Sequence, residues 1–262
     1  YSTVYFANQK LKRTFVEGEV NEIKVGIVLG GKRVNSVDEK VIFTLQDTTG
    51  LGATPYTLLP ENYYTLSSSG EFTIPSGEFT GEISMTIDPS FFQDALSTEE
   101  EYALLFKLTD ATTDSIHGGK DSLLLVLDFE HHLFGNYYHN GQVVVINSVT
   151  GEPDTTLVYH QEEPVTSLVN NWFLGTIASS TLQSRGIGQY APSDLSGFIL
   201  SVNNDYSIDL SDNPDLIASG YEWNIEEIDE AVNRYDSTKK EFYLNYKFTD
   251  VLTGNECVFS LS

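Results

Sequence analysis

The densest set of residues able to do chemistry is "EHHLFGNYYHN", residues 130–140, which places Glu130, His131, His132 and His139 within a short span. Imidazole and carboxylate together are a metal-ligand set. His131 and His132 are adjacent, however, and on a strand adjacent side chains face opposite ways. The expectation is therefore no metal site, and a joint or interface instead. The acidic runs "DYSIDLSDNPD" (205–215) and "EEIDE" (226–230) lack the alternating spacing of a calcium loop and read as solvated faces. Cys257 is the only cysteine and lies in the apolar run "NECVFSLS", so it reads as a small core residue rather than a nucleophile. No nucleophile elbow, phosphate-binding loop, zinc-protease helix or paired-cysteine motif is present. The expected catalytic residues, cofactors and metals are none.

Aromatic side chains are the remaining chemical lead. Sugars stack their C–H faces on flat rings while carboxylates and amides hold the hydroxyls. Both tryptophans, Trp172 and Trp223, lie in the second half of the chain. Tyr221 shares a strand face with Trp223, and Tyr190 sits in the loop-like "GIGQYAPSDLSG". Trp172, Tyr190, Tyr221 and Trp223 are the candidate ligand-binding residues. The competing reading is that such rings close the ends of a β-barrel core.

The elements that must position these residues read as strands. "NEIKVGIVLGG" alternates, with Ile23, Val25, Ile27 and Leu29 on one face and Gly30-Gly31 ending the run. "KVIFTL", "YYTL", "EFTI" and "EISMTI" follow, and Pro75-Ser76-Gly77 separates the last two. "YALLFKLTD" (102–110) and "DSLLLVLDF" (121–129) read as central strands buried on both faces. "PSFFQDALSTEEEY" (89–102) reads as a helical turn or two in a long connection. After Glu130 the pattern changes. Eight further strands are predicted, at 142–147, 155–160, 172–178, 197–202, 206–210, 220–225, 241–250 and 256–262, with a short helix within 224–235. The expectation is all-β: a sandwich over residues 1–131, then an antiparallel, calycin- or lipocalin-like barrel over 132–262, with the boundary near 130–136.

Fourteen basic residues face 38 acidic ones, a net charge of −24. That excludes nucleic acid as a partner, whose backbone needs lysine and arginine, and disfavours anionic lipid. Only five basic residues lie in 132–262, so a neutral or amino-sugar glycan is expected rather than a polyanionic one. No apolar run is long enough to span a membrane.

"VYFAN…VNEIKVGIVLGG", "LLPENYYTL" and "FTIPSGEFTGEISMTI" together resemble the N-terminal domain of Bacteroidetes surface lipoproteins of the DUF1735 group. The second half, from "YYHNGQVVV" through "YDSTKKEFYLNYKFTD", is similar to the DUF4361-like barrel often paired with it. The resemblance implies an immunoglobulin-like or Calx-β-like sandwich. It also implies an outer-membrane lipoprotein at the cell surface, anchored through a segment absent from this chain, in a polysaccharide-utilisation setting. It carries over no site residues. The expected function is non-catalytic binding of a neutral oligosaccharide or polysaccharide, with other outer-membrane glycan-uptake proteins as partners. The rival is a scaffold that holds partner surface proteins.

Overall fold

A computed structural model describes residues 1–47, 56–99, 101–160, 171–185, 197–218, 224–228, 232–250 and 253–261. Contacts divide the chain into two compact units, Tyr1–Glu130 and His131–Ser262. Both are all-β, apart from single helical turns.

The first unit is a sandwich of two sheets. Its strands are β1 (Thr3–Tyr5), β2 (Lys10–Val16), β3 (Glu22–Gly30), β4 (Glu39–Gln46), β5 (Thr57–Leu58), β6 (Tyr64–Leu66), β7 (Glu71–Ile74), β8 (Thr80–Ile87), β9 (Tyr102–Ala111), β10 (Ser115–Ile116) and β11 (Ser122–Glu130). One sheet runs β10-β1-β3-β8-β6 and the other β2-β11-β9-β4-β7, with β5 added to β9. Period-two alternation puts Val25, Ile27 and Leu29 of β3 and Ile83, Met85 and Ile87 of β8 into the core between the sheets. β9 from Tyr102 to Phe106 and β11 from Leu123 to Phe129 are buried on both faces, where their residues are almost all apolar. Their outer residues Ala103, Leu105, Leu124 and Val126 form a second small cluster under Tyr56. Residues 89–98 form two 3₁₀ turns, each capped by an aspartate: the Asp88 and Asp94 carboxylates accept from the Ser90 and Leu96 amides. Asp94 also accepts from the Tyr63 and Tyr102 hydroxyls, at 2.8 and 2.5 Å, which hold its carboxyl below the usual range. The turn after Ile74 is pinned by Asn35, whose amide donates to the carbonyls of Pro75 and Glu78 at 3.0 Å each. Between residues 63 and 88, Phe72, Ile74, Ile83, Met85 and Ile87 all belong to this core.

The second unit has the strands β12 (Gly135–Tyr138), β13 (Gly141–Ile146), β14 (Pro153–Tyr159), β15 (Asn171–Ala178), β16 (Thr181–Arg185), β17 (Phe198–Val202), β18 (Ile208–Asp212), β19 (Glu226–Glu227), β20 (Arg234–Asp236), β21 (Glu241–Thr249) and β22 (Glu256–Leu261). They form two curled half-barrel sheets, β12-β15-β16-β17-β18 and β14-β13-β22-β21-β19, with β20 on β21. One core fills the space between them. β21 supplies Phe242, Leu244, Tyr246 and Phe248, each at most 5% exposed and worth about 1.5–3 kcal/mol on burial. Tyr246 stacks on Phe259 at 4.8 Å. Cys257 is buried in the same core. Asn233 joins the two sheets: its backbone carbonyl accepts from the Ile208 amide and its side-chain oxygen from the Asn245 amide.

Two local expectations are corrected. Residues 224–235 contain no helix among those described; Glu226 and Glu227 are extended because they pair with Lys247 and Tyr246 of β21. The short helix is α1 (Pro214–Ala218), which begins at a proline, where a missing N–H costs nothing. The stretch after Glu130 is not only a joint, because its residues 135–138 are the strand β12.

Candidate ligand-binding site

β12 lies antiparallel to β15, with Tyr137 opposite Trp172 and Tyr138 opposite Asn171. Alternation therefore sends the Tyr137 ring inward beside Trp172, while Asn136 and Tyr138 face outward. The Tyr137 ring meets Phe242 edge-on at 4.9 Å and Trp172 at 6.1 Å. Its hydroxyl donates to the Leu133 carbonyl at 2.8 Å. The Trp172 indole N–H donates to the Ser184 hydroxyl at 2.6 Å inside the core. These bonds fix both rings, and burial raises the Tyr137 phenol above its ordinary range.

The chain then crosses from one sheet to the other through His139 and Asn140. It enters β13 at Gly141, whose φ is +120°. A Cβ there would lie 2.0 Å from the Ser260 carbonyl oxygen, so only glycine permits this approach to β22. The crossing buries His139 to 4% exposure between Tyr159 and Trp172, each ring 5.9 Å away. Its Nδ1 is buried without a hydrogen-bond partner, and burial pushes its pKa down to about 4. The imidazole is thus neutral over the ordinary pH range.

Between this crossing and the start of β21 lies a cavity of about 280 Å³. That is near the lower end of ligand pockets, about 300–1,000 Å³. Its apolar wall is Tyr137, Trp172, Phe242, Leu244 and Leu261. Its polar groups are Asn136, His139, Asn140, Lys240 and Glu241, with Tyr138 also lining it. Tyr138 is 40% exposed. Aromatic faces beside amides, an imidazole and one carboxylate suit a ligand with apolar faces and many hydroxyls.

Of the residues singled out from sequence, Trp172 lies in this cavity, as a buried core ring on its wall. Tyr190, Tyr221 and Trp223 lie outside the described residues. The strand-face argument against pairing His131 with His132 does not hold. They sit in a turn, and their rings stack at 4.4 Å. His131 is buried, its backbone N–H donates to Thr176, and burial followed by the His132 charge lowers it to about 4. Tyr137 and Tyr138 are not legible as ligand residues because turn signals dominate "FGNYYHNG", and His139 is weighed there only as a metal ligand. The available signal was the pair of adjacent aromatics between two glycines.

Residues 1–115 match a family model described as a "-like, N-terminal domain". No curated protein matches the chain. Among solved structures, a Bacteroides ovatus protein of unknown function superposes with a TM-score of 0.77 at 17% identity, covering 100% of this chain and 94% of that one. A Bacteroides ovatus multidomain protein including DUF1735 superposes at 0.50 and 14% identity, over 100% and 93% of the two chains. An auxiliary nutrient binding protein from Bacteroides thetaiotaomicron reaches 0.48 at 14% identity, over 97% and 90%, too loose a likeness to bear on function. At these identities the likeness establishes the fold.

Proposed function

We propose that the second unit captures an extracellular oligosaccharide in the cavity between β12 and β21, without chemistry. The observation that carries this reading is the cavity itself: fixed aromatic rings and amides in its lining, with His139 beside them, whose buried Nδ1 has no partner. An unpaired buried polar atom costs about 1–3 kcal/mol and is retained most readily where function needs it. The described lining holds one carboxylate, Glu241, whereas glycoside hydrolysis ordinarily uses two; this supports binding over catalysis. The resemblance to the DUF1735 group supports a place at the cell surface as a lipid-anchored protein, beside other proteins of glycan uptake. Among the described residues no helix is long and apolar enough to cross a membrane.

Isothermal titration against a panel of plant, host and microbial oligosaccharides tests this. At least one should bind, and Tyr138→Ala should weaken that binding by about 1–3 kcal/mol without unfolding the protein, because an exposed ring is lost. Heat from none of the panel would favour the scaffold reading instead.

A further inference from the structure

Taking the cavity as an oligosaccharide site, we propose that Lys240 determines its specificity by reading a single carboxylate on an otherwise uncharged sugar chain. Three hairpin turns of the second unit share one construction. The amides of Gly151, Gly254 and Lys240 donate to the carbonyls of Asn147, Asp250 and Asp236, four residues earlier, at 2.8, 2.7 and 2.7 Å. In each the donor residue is left-handed, with φ of 72°, 73° and 61°. Glycine occupies that position in two turns, as the conformation favours, and lysine in the third. The third turn is the one whose residue lines the cavity. A side chain kept where the backbone prefers none points to use of that side chain.

The charges around it agree. Of the five basic residues in 132–262, Arg234, Lys239 and Lys240 gather on this one hairpin. Arg234 lies over the Tyr243 ring at 4.6 Å and 3.8 Å from the Asp236 carboxylate. Lys239 donates to the Tyr243 hydroxyl at 2.9 Å, and that hydroxyl donates to Glu241 at 2.7 Å. Lys240 is left over. Among the described residues it is the only lysine whose ammonium makes no ion pair, hydrogen bond or ring contact, in a chain of net charge −24. One uncommitted ammonium on a residue that lines the cavity matches one carboxylate by a charge-assisted hydrogen bond. A polyanion, by contrast, would meet the repulsion of the whole chain. This departs from the neutral-glycan expectation by one charge: the sugar chain carries a single acidic residue and is otherwise neutral.

The test uses the full chain and paired probes: xylo-oligosaccharides bearing one glucuronate, and sialyllactose, each beside its carboxyl-reduced counterpart. At least one acid form should bind ten-fold or more tighter than its reduced partner. Lys240→Gly should bring the acid form down to the reduced level with the melting temperature unchanged or raised, and Lys240→Arg should keep the preference. Equal binding of every pair, or a preference that survives Lys240→Gly, overturns the assignment of Lys240 and leaves oligosaccharide capture standing. Absence of binding by these probes and by the broader panel removes both.

Discussion

His139 shows how one residue couples site and stability. Burial holds its folded pKa at about 4, below its ordinary 6.5. The unfolded imidazole therefore takes up a proton that the folded one refuses. Its contribution is fully present above pH 6.5 and is lost as pH falls from there through 4, by at most about 3 kcal/mol. His131 is shifted the same way, so His139→Phe should remove part of the acid sensitivity, not all. Urea unfolding at pH 7.5 and 4.5 checks this; an unchanged pH dependence in His139→Phe would contradict it. Lys240 illustrates the opposite trade. Its left-handed backbone at φ 61° costs about 1–2 kcal/mol that glycine would recover, so Lys240→Gly should give a stabler protein that binds less selectively.

At the scale of elements, the cavity lies beside the point where β12 and β13, which belong to different sheets, are joined by two residues that must cross. Gly141 makes the crossing tight. Gly141→Ala forces a Cβ against the Ser260 carbonyl and should cost about 1–3 kcal/mol, weakening ligand binding as the crossing shifts. Gly118→Ala, where nothing lies within 4 Å, is the matched control and should change stability by under about 0.5 kcal/mol. Equal melting temperatures for the two variants would show that the crossing is loose. β9 and β11 were legible from sequence because the apolar runs Tyr102–Phe106 and Leu123–Leu127 leave no solvent face. β12 was not, because four residues flanked by Gly135 and Gly141 show too little periodicity to stand against their turn signals.

For the whole molecule, the two units have separate cores: one runs from Val4 to Phe129, the other from Leu133 to Phe259. Each buries enough apolar surface to be a domain in its own right. Residues 131–262 expressed alone should therefore fold and bind the same ligand as the full chain with an affinity within about two-fold. Circular dichroism with titration calorimetry decides it; an unfolded fragment would show that the second unit depends on the first. The net charge of −24 acts at this scale too, through long-range repulsion that salt screens over about 8–10 Å.

The amino-acid sequence by itself determined the all-β class, the double-faced burial within β9 and β11 and the alternating wall of β21. Each follows from local period, which needs no knowledge of what lies opposite. Trp172 was identifiable as an aromatic of interest, but its role as a wall of the cavity was not. That role depends on Tyr137 standing opposite it across a strand pair and on Phe242 approaching from the other sheet, more than a hundred residues after Tyr137. The free ammonium of Lys240 was equally hidden. Sequence places Arg234, Lys239 and Lys240 within one hairpin-like stretch, but only the pairing of β20 with β21 shows that the first two find partners and the third does not.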